Sequence, residues 1–494
     1  MSQHRLSRIV ATLGPASSES SVLRRMISAG VNIFRFNMSH GTHDQHAQMM
    51  KRLRAAAEHL SRPVGILVDL QGPKVRTGLN DGGGTILLKR GETIQMSFNS
   101  GRGKRQAVSR PGHIIVDSPQ LTQDLSAGDH ILLDDGRLKL RVEKKTEGKL
   151  YAKVLREGLL KEHAGVNVPG PLTSLKAPTL KDGRDAAFAV AQGADFVALS
   201  FVQSPDDIRR LKRLLTRRIK QGSAVKMPLI IAKLEKPAAL EHLDAILEEV
   251  DGVMVARGDL GVELSLEKVP SWQKKILQAA RSRSVYTITA TEMLQSMVEN
   301  PTPTRAEVSD IANAILDGTD ALMLSAETAV GRYPVESVHF LSRIAAEADQ
   351  VWLEDTMRDF NSYALGGWED PKDPIHAIAR AAVDLADFSR ARRLVVFTLT
   401  GRTVPYITRH RPATPILALT PHEETQRKLC LAWNTTALIL PRAADVAEMM
   451  RNGLRLLRQK RWIREGDTLV LAAGDATLPH ASNLLRLVKV GPQD

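Results

Sequence analysis

Eight short apolar runs, each followed by a polar break and a helical stretch, constrain the fold of this 494-residue chain more than any other feature. We place these runs at 8–13, 31–36, 64–69, 195–201, 228–233, 252–256, 285–290 and 320–324. Strands that alternate with helices pair in parallel, because each crossover helix returns the chain to the same end of the sheet. Eight such units over about 250 residues predict a TIM (β/α)8 barrel.

The alternation is interrupted between 75 and 172, where short strand-like runs are separated by glycine-rich turns. This pattern is typical of a small all-β domain, and its place after the third strand predicts a lid on the catalytic face. Residues 168–171 form the expected returning hinge, and a shorter α/β segment follows the barrel. We expect a catalytic TIM barrel at 1–72 and 174–350, an inserted β-barrel lid at 73–173, and a C-terminal α/β domain at 351–494.

The composition limits the classes of partner. The formal net charge is +13, but aromatic residues make up only 4% of the chain, so we expect anionic small molecules and no nucleic acid. The single cysteine, Cys430, permits no internal disulfide. Because no apolar stretch reaches the roughly 18 residues of a membrane span and no signal peptide is recognisable, we expect a cytoplasmic protein without membrane contact.

Charged residues follow two neighbouring apolar runs at the points where the strands end. Lys233 and Glu235 end one strand, and Arg257 and Asp259 follow the next. Residues i and i+2 of an extended strand share a face, so each pair is expected to point the same way. An ammonium and two carboxylates that converge suit a divalent metal and an anionic substrate. Structural ion pairs at the strand ends are the alternative.

The distribution of polar residues over the predicted barrel favours a functional site. The carboxyl ends of the strands carry most of the reactive side chains: Arg35, Asn37, Ser39, Asp69, Ser200, Lys233, Glu235, Arg257, Asp259, Thr291, Glu292, Ser325 and Glu327. The amino ends carry few such residues. Active sites of TIM barrels lie at the carboxyl ends, and ion pairs alone would not produce this asymmetry.

The same stretches resemble the pyruvate kinase family from end to end. The motifs include Phe-Arg-Phe-Asn-Met-Ser-His-Gly-Thr-His at 34–43, Ala-Lys-Leu-Glu at 232–235 and Met-Val-Ala-Arg-Gly-Asp-Leu-Gly-Val-Glu at 254–263. Further matching stretches lie at 11–17, 69–78, 290–297, 303–307 and 317–328. Each is weak alone, but together and in this order they are specific. The family architecture of barrel, β lid and C-terminal regulatory domain agrees with the periodicity.

The resemblance implies phosphoryl transfer from phosphoenolpyruvate to ADP, a step of glycolysis, followed by protonation of the enolate to pyruvate. Such transfer depends mainly on positioning and on charge neutralisation. By resemblance, Glu235 and Asp259 hold Mg²⁺ or Mn²⁺, hard ions suited to oxygen ligands, and a second Mg²⁺ arrives with the nucleotide. Lys233 neutralises the transferring phosphoryl group and the enolate, and Arg35 holds the phosphoryl group.

The resemblance also assigns contacts to substrate and nucleotide. The main chain of Arg257, Gly258 and Asp259 binds the substrate carboxylate, which leaves the Arg257 guanidinium for a supporting role. Thr291 belongs to the proton-delivery network, although a strand-end hydroxyl bonded to the main chain is the alternative. Three residues are assigned to the nucleotide side: Arg76, Asn37 and His40.

One departure from the family concerns a monovalent cation. The family's K⁺ site resembles Asn37, Ser39, Asp69 and the carbonyl of Leu70, and K⁺-requiring members carry Glu where this chain has Lys74. We expect the ammonium of Lys74 to replace the ion, so that K⁺ is not required. The alternative is that Lys74 faces solvent and the site still fills.

A second departure is Glu292, where the family usually carries Gln. A carboxylate beside Thr291 would either alter proton delivery or pair with a nearby arginine, and the sequence leaves both alternatives open.

In the C-terminal domain, a loop before a predicted helix resembles the family's site for an allosteric effector: Thr398, Thr400, Gly401, Arg402 and Thr403. Hydroxyl groups and helix-start amides suit a phosphorylated sugar or nucleotide, whereas ordinary helix capping by Thr400 is the alternative. Residues 474–477 are a candidate second wall of this site. A homotetramer is implied by analogy with the family alone.

Two rival classes of protein are compatible with parts of this pattern. A Mg²⁺-dependent barrel aldolase of the phosphoenolpyruvate/pyruvate type would share the metal geometry. The predicted lid, Lys233 and Arg76 speak against this class, because an aldolase has no nucleotide to enclose. A catalytically silent relative would be expected to lose Lys233, Glu235, Asp259 or Thr291, and all four are present.

Overall fold

The computed structural model describes residues 5–98, 107–146, 149–170, 174–220, 227–358, 374–474 and 482–492. The chain opens with five elements: β1 (Arg8–Thr12), α1 (Ser20–Ala29), β2 (Ile33–Asn37), α2 (His43–His59) and β3 (Gly65–Asp69). Thr42 caps α2, because its side chain accepts a hydrogen bond from the main-chain N of Gln45. The sequence predicts that Ser17 or Ser18 caps a helix running to Ser28, and this prediction is wrong. Ser17 lies in a 3₁₀ turn (Pro15–Ser17), and α1 begins after Glu19.

The region after β3 forms a separate β domain with its own apolar core. Its elements are β4 (Val75–Arg76), β5 (Ile86–Leu88), β6 (Thr93–Phe98), β7 (His113–Val116), α3 (Leu121–Asp124), β8 (His130–Leu133), β9 (Leu138–Thr146), β10 (Lys149–Arg156), β11 (Gly158–Leu160) and β12 (Gly165–Asn167). Seven strands form one mixed sheet in the order β4-β12-β8-β9-β10-β6-β7, and β5 pairs with β11. Isolated bridges, from Thr77 to Val116 and from Asn80 to Ser109, join the chain after β4 to the opposite edge of this sheet. The expected hinge at 168–171 is described only as far as Gly170.

The barrel resumes with alternating helices and strands. Its elements are α4 (Leu180–Ala191), β13 (Phe196–Leu199), α5 (Pro205–Lys220), β14 (Leu229–Leu234), α6 (Pro237–Glu241), α7 (Leu243–Leu247), β15 (Gly252–Ala256), α8 (Arg257–Glu263), α9 (Val269–Ser282), β16 (Tyr286–Ala290), α10 (Arg305–Leu316), β17 (Ala321–Leu324), α11 (Ala326–Ala329) and α12 (Pro334–Arg358). The sequence predicts one continuous helix over 237–248, whereas the structure divides this segment at His242 into α6 and α7.

Eight parallel strands close the barrel in the order β1-β17-β16-β15-β14-β13-β3-β2. These are the eight strands that the apolar runs predict, and no strand end differs from its predicted position by more than two residues. Their side chains are almost all buried, as expected for strands covered by helices on the outside and packed within. The predicted barrel is therefore confirmed.

The C-terminal domain is a smaller α/β unit. Its elements are α13 (Pro374–Phe388), β18 (Arg393–Phe397), α14 (Thr403–Thr408), β19 (Ile416–Thr420), α15 (Glu423–Lys428), β20 (Thr435–Ile439), α16 (Val446–Gln459), β21 (Thr468–Gly474) and β22 (Ser482–Lys489). The sheet order is β20-β19-β18-β21-β22, with β22 antiparallel to β21. The sequence predicts this domain but misses β22. Among the described residues, no helix is both long and apolar enough to cross a membrane.

The C-terminal domain is attached to the amino ends of the barrel strands. Asp195, which is fully buried, accepts hydrogen bonds from Arg54 of the barrel at 2.9 Å and from Arg427 of the C-terminal domain at 2.8 Å. Asp320 pairs in the same way with Arg411 at 3.0 Å. One apolar cluster continues from the barrel interior into the C-terminal domain. The opposite, carboxyl ends of the strands are therefore the ones left for a site.

Candidate active site

A buried ion pair joins the ends of β2 and β3. Nε of Arg35 donates to Oδ2 of Asp69 at 2.6 Å, and Nη1 donates to the hydroxyl of Thr12 at 3.0 Å. Burial opposes ionisation of the carboxylate, but the cations Lys233 and Arg35 lower the pKa of Asp69. This corner of the site therefore carries a fixed guanidinium whose orientation is set by two partners.

The ammonium of Lys233 lies among three oxygen atoms. Its Nζ is 2.7 Å from Oε1 of Glu235, 2.8 Å from the hydroxyl of Ser200 and 3.5 Å from Oδ2 of Asp69. Burial disfavours the charged form, but Asp69 and Glu235 outweigh this effect and raise the pKa of Lys233. Lys233 is therefore a cation at neutral pH. Lys233 and Glu235 therefore form the ion pair that was the alternative to a functional site, and this ion pair lies inside the proposed site.

Glu235 and Asp259 are the carboxylates expected to hold a divalent metal. Oε2 of Glu235 accepts a hydrogen bond from the main-chain N of Phe201 at 2.8 Å. Burial raises the pKa of Glu235, and the negative charge of Asp259 adds to the increase against the opposing effect of Lys233. Two neighbouring carboxylates that repel each other form an oxygen donor set suited to Mg²⁺ or Mn²⁺. Within the described ranges, no three His, Cys, Asp or Glu side chains converge, so other ligands would have to complete the coordination.

The residues after β15 are helical. Because α8 begins at Arg257, Arg257 and Asp259 do not share a face as they would on a strand, and that expectation is wrong. Nη1 of Arg257 pairs instead with Asp310 of α10 at 2.7 Å. Its Nη2 donates to the main-chain oxygen of Thr291 at 2.7 Å. The guanidinium therefore supports the strand end beside it.

The hydroxyl of Thr291 lies between two main-chain groups. It accepts a hydrogen bond from the N–H of Gly258 at 2.8 Å and donates to the carbonyl oxygen of Ala290 at 2.6 Å. The alternative of a strand-end hydroxyl bonded to the main chain is therefore realised in this structure. Thr291 and Glu292 have φ values of 71° and 56°, in the left-handed region that non-glycine residues seldom adopt. Glu292 is exposed. A left-handed backbone at residues other than glycine is strained, and it persists only where surrounding contacts impose it.

The residues expected to form a monovalent-cation site are hydrogen-bonded to other groups of the chain. Asn37 and Asp69 are register partners in the barrel sheet. Oδ1 of Asn37 accepts a hydrogen bond from the N–H of Ser39 at 3.1 Å, and the carbonyl of Leu70 accepts one from Ser200 at 2.7 Å. The carboxylate of Asp69, however, is paired with Arg35 and Lys233 as described above. It already has its countercharge.

Lys74 and Arg76 lie where the chain enters the lid. Lys74 is half-buried and lines a cavity of about 20 Å³ together with Asn167 and Lys236. Arg76 donates to the carbonyl oxygen of His163 at 3.1 Å. Partial burial, reinforced by the positive charges of Arg76 and Lys74, lowers the pKa of His40. Cations therefore gather around the mouth of the barrel, as a site for anionic substrates requires.

The candidate effector loop contains a tight turn. The hydroxyl of Thr398 accepts a hydrogen bond from the N–H of Gly401 at 2.9 Å, and Gly401 has φ +83°. The helix after it starts at Thr403, behind Arg402, without a side-chain cap. The alternative of helix capping by Thr400 is therefore wrong. Thr400 and Arg402 are exposed. Of the candidate second wall at 474–477, only Gly474 lies within the described residues.

Sequence reasoning missed partners that come from other elements. Ser200 was noted as a strand-end residue, but nothing predicted that its hydroxyl would join Lys233 to the Leu70 carbonyl. No sequence pattern identifies Thr12 as a partner of Arg35 or Asp310 as a partner of Arg257. The members of these two pairs lie 23 and 53 residues apart in the chain, on different elements. Only the positions of strand ends around the barrel could have suggested such neighbours.

A closed (β/α)8 barrel with paired cations and carboxylates at the carboxyl ends of its strands defines a barrel enzyme for small anionic substrates. Residues 4–338 match the family model of the pyruvate kinase barrel domain, and residues 376–488 match that of the pyruvate kinase alpha/beta domain. The chain belongs to the pyruvate kinase family and is a phosphotransferase.

Individual relatives agree with this assignment over nearly the whole chain. The chain is 40% identical to pyruvate kinase 2 of Synechocystis sp. over 98% of its length and 79% of that protein. It is 38% identical to pyruvate kinase of Mycobacterium tuberculosis over 99% of both chains. The crystal structure of a pyruvate kinase from Cryptosporidium parvum superimposes with a TM-score of 0.88 at 31% identity, and it covers 98% of this chain and 96% of that one. This membership decides against the aldolase alternative.

Proposed function

We propose that the chain transfers the phosphoryl group of phosphoenolpyruvate to ADP, giving pyruvate and ATP, as a step of glycolysis in the cytoplasm. The observation that carries this proposal is the buried charge cluster at the barrel mouth, in which Lys233 contacts Glu235 at 2.7 Å and Arg35 contacts Asp69 at 2.6 Å. Phosphoryl transfer needs fixed charges more than covalent chemistry, and this cluster supplies two cations whose positions are set before the substrate arrives.

Arg35 and Lys233 are proposed to hold the phosphoryl group. The guanidinium of Arg35 is oriented by Asp69 and Thr12, so it offers its remaining N–H groups without losing further rotamer freedom. Lys233 stays protonated because its carboxylate neighbours raise its pKa. It is therefore able to neutralise the charge that develops on the phosphoryl group and on the enolate oxygen.

Glu235 and Asp259 are proposed to hold Mg²⁺ or Mn²⁺, with a second Mg²⁺ arriving with the nucleotide. The bound ion would act as a Lewis acid towards the oxygens of the substrate and would relieve the repulsion between the two carboxylates. Because only two carboxylates are proposed as ligands, substrate oxygens are expected to complete the coordination, which links metal binding to substrate binding.

The substrate carboxylate is assigned to the main-chain N–H groups of Arg257, Gly258 and Asp259 in the first turn of α8, of which that of Gly258 also donates to the Thr291 hydroxyl. Thr291 is assigned to proton delivery. Its hydroxyl already bonds to Gly258 and to Ala290, so it is placed to orient a water molecule. A threonine hydroxyl is a poor acid, and the proton is therefore expected to pass through water.

On the nucleotide side we propose Arg76, Asn37 and His40 as contacts for ADP. Lys74 is proposed to make K⁺ unnecessary. Two observations support this: Lys74 is half-buried near the mouth, and Asp69 of the expected cation site is already neutralised by Arg35 and Lys233.

Regulation is proposed to act through the C-terminal domain. The turn at 398–403 exposes Thr400 and Arg402 beside Gly401, a combination suited to a phosphorylated sugar or nucleotide. A homotetramer is proposed from the family alone. Titration with phosphoenolpyruvate, with and without sugar phosphates and nucleoside monophosphates, would test the regulation. Arg402→Ala is expected to remove any response without changing the maximal rate.

The central test is ATP formation from phosphoenolpyruvate and ADP in the presence of Mg²⁺. Omission of ADP or addition of EDTA should abolish pyruvate release. Lys233→Met should lower kcat at least about 100-fold because it removes a charge that acts on the transition state. Lys212→Met, which removes a half-buried lysine paired with Glu249 on the barrel exterior, is the matched control and should retain activity. Pyruvate release without ADP would refute the proposal.

A further inference from the structure

Three polar side chains meet where the lid joins the barrel, and we call them the hinge cluster: Lys236, Glu263 and Asn167. Nζ of Lys236 is 2.5 Å from Oε1 of Glu263, and Nδ2 of Asn167 donates to the same oxygen at 3.1 Å. Lys236 and Glu263 belong to the barrel, whereas Asn167 is the last residue of the lid strand β12. The lid is therefore hydrogen-bonded to a barrel ion pair through one amide.

The ion pair of the hinge cluster is almost completely excluded from solvent. The side chains of Lys236 and Glu263 are 5% and 1% exposed. A buried ion pair contributes little net stability, because the loss of hydration offsets the attraction, and its best-attested use is to fix one arrangement among several. Lys236 also lies 3.4 Å from the carbonyl oxygen of Val168, in the first residue of the hinge. Both contacts therefore fix the lid with respect to the barrel.

The lid reaches α8 at a second, adjacent point. The turn between β8 and β9 places Gly136 so that a methyl group there would lie 3.6 Å from Cγ1 of Val262, the residue before Glu263. A second lid segment therefore lies close to the last turn of α8, beside the hydrogen bond from Asn167 to Glu263. The first turn of the same helix contains Asp259. Lys236 directly follows Glu235 in the chain. Lys236 is therefore one residue away from Glu235, and Glu263 is four residues away from Asp259. Each of these two carboxylates is a proposed metal ligand.

On the lid side, the hinge cluster is connected to Arg76. Strand β12 pairs with β4, and Gly165 is opposite Arg76 in this ladder. Asn167 lies two residues further along the same strand. A hydrogen-bonded ladder moves as a unit, so a displacement of Asn167 displaces Arg76 as well.

We propose that Lys236, Glu263 and Asn167 form a positioning cluster that sets the angle of the lid over the barrel, so that the nucleotide bound by the lid meets the phosphoryl donor bound by the barrel. These are positioning residues, since none of them is assigned to a reactant. The inference rests on the proposed transfer to ADP. Misplacement of two reactants by about 1 Å is enough to cost roughly 100-fold in rate, so a contact at the hinge is able to control turnover at a distance.

The sharpest test reverses the polarity of one hydrogen bond. Asn167→Asp places a carboxylate against Glu263 and should push the lid away, which raises the KM for ADP and lowers kcat, each by roughly tenfold. The affinity for phosphoenolpyruvate in the absence of ADP, measured by calorimetry with Mg²⁺, should stay within about twofold. The double variant Asn167→Asp/Glu263→Gln restores an amide–carboxylate pair and should recover most of the activity. A double-mutant cycle isolates this coupling.

Two further variants separate positioning from folding. Asn167→Ala leaves the Lys236–Glu263 pair intact, so the barrel should fold normally, and the KM for ADP should rise about threefold. Thr93→Val removes a lid hydrogen bond, to Glu143, that does not reach the barrel, and it should have no effect. Equal losses for Thr93→Val and Asn167→Ala would overturn the proposal, because they would indicate general loosening of the lid.

A distance measurement tests the lid itself without catalysis. Spin labels at Lys144→Cys in the lid and Glu58→Cys in the barrel, both exposed positions, in a Cys430→Ser background report the angle between the domains. Asn167→Asp should shift or broaden the distance distribution, and the double variant should restore it. An unchanged distribution overturns the proposal. A shift in a chain that forms no ATP would leave the positioning role standing and would refute the proposed function instead.

Discussion

The guanidinium of Arg257 donates a hydrogen bond to the main-chain oxygen of Thr291, with 2.7 Å between Nη2 and O. Thr291 has a left-handed backbone, and the same guanidinium is fixed from the other side by Asp310. Thr291, a residue with a strained backbone, is thus held by Arg257, and Arg257 is held in turn by Asp310 of α10, a helix in the outer layer of the barrel. The side chain of Arg257 supports the strand end beside it, in agreement with the supporting role expected for its guanidinium, and binding of the substrate carboxylate is proposed for the main chain.

Removal of this support should reduce turnover without unfolding the chain. We predict that Arg257→Leu lowers kcat about 10- to 100-fold with a smaller change in the KM for phosphoenolpyruvate, because Thr291 loses its fixed position. Steady-state kinetics measure the effect. The control is Arg332→Leu, which removes an exposed arginine 3.8 Å from Glu299 and should be silent. Equal kinetics for both variants would contradict the supporting role.

The proposed proton relay predicts a difference between two substitutions of Thr291. Thr291→Val removes the hydroxyl at nearly constant volume and should lower kcat by about 10²- to 10⁴-fold, the usual range for a lost proton-transfer contribution. Thr291→Ser keeps the hydroxyl and should retain most of the activity. Exchange of the methyl protons of pyruvate with solvent, followed by NMR in ²H₂O, isolates this step. Unaltered exchange in Thr291→Val would exclude a role in proton delivery.

Independence from K⁺ is tested by a single change of charge. In a buffer whose only monovalent cation is tetramethylammonium, the unmodified chain should be fully active, and Lys74→Glu should become dependent on added K⁺. The physical reason is that a carboxylate at this position would need an ion to balance its charge. Lys89→Glu, at an exposed position in the lid, is the matched control. A large activation of the unmodified chain by K⁺ would refute the prediction.

His410 should make the stability of the chain depend on pH. Burial, reinforced by the charges of Arg409 and Arg380, lowers the pKa of His410 to about 3, below its value of about 6.5 in an unfolded chain. Between these two values the unfolded state binds a proton that the folded state does not, so this contribution to stability is lost as the pH falls from 6.5 towards 3. At pH 5 the loss relative to pH 7.5 should be about 1–2 kcal/mol.

Urea unfolding at pH 7.5 and pH 5 measures this dependence. His410→Gln cannot take up the proton, so the difference in unfolding free energy between the two pH values should be smaller in this variant than in the unmodified chain. His59→Gln, at an exposed position, should keep the full difference. A pH dependence that is the same in all three proteins would contradict the assignment.

The fold could be predicted from the sequence because strand existence depends on local composition. Each apolar run was long enough to identify a barrel strand, and the interruption after β3 located the lid. What failed depended on contacts between distant parts of the chain. The strand β22, Ser-Asn-Leu-Leu-Arg-Leu-Val-Lys, lacks a strict alternation of apolar and polar residues and gives only a weak strand signal by itself, yet it pairs along its length with β21. The break between α6 and α7 at His242 likewise could not be predicted, because no Gly or Pro lies at this position.

The site was predicted less completely than the fold, for a related reason. The rule that residues i and i+2 of a strand share a face correctly predicted that Lys233 and Glu235 lie together, because β14 extends to Leu234. It failed for Arg257 and Asp259, because the chain turns into a helix immediately after Ala256. The hinge cluster was not foreseen at all. Its three members come from the start of one helix, the end of another and a lid strand, and no spacing in the sequence links them.

Asp195 and Asp320 are buried carboxylates of the barrel whose countercharges include Arg427 and Arg411 of the C-terminal domain. A fragment that ended after α12 would keep both carboxylates and lose both of these arginines. Asp195 would keep Arg54, but Asp320 would lose the guanidinium paired with it, and removal of one partner from a buried ion pair typically costs roughly 3–5 kcal/mol, which is comparable to the whole stability of many domains. The segment that can be transplanted, recombined or produced by itself is therefore the entire chain, although the sequence divides so clearly into modules.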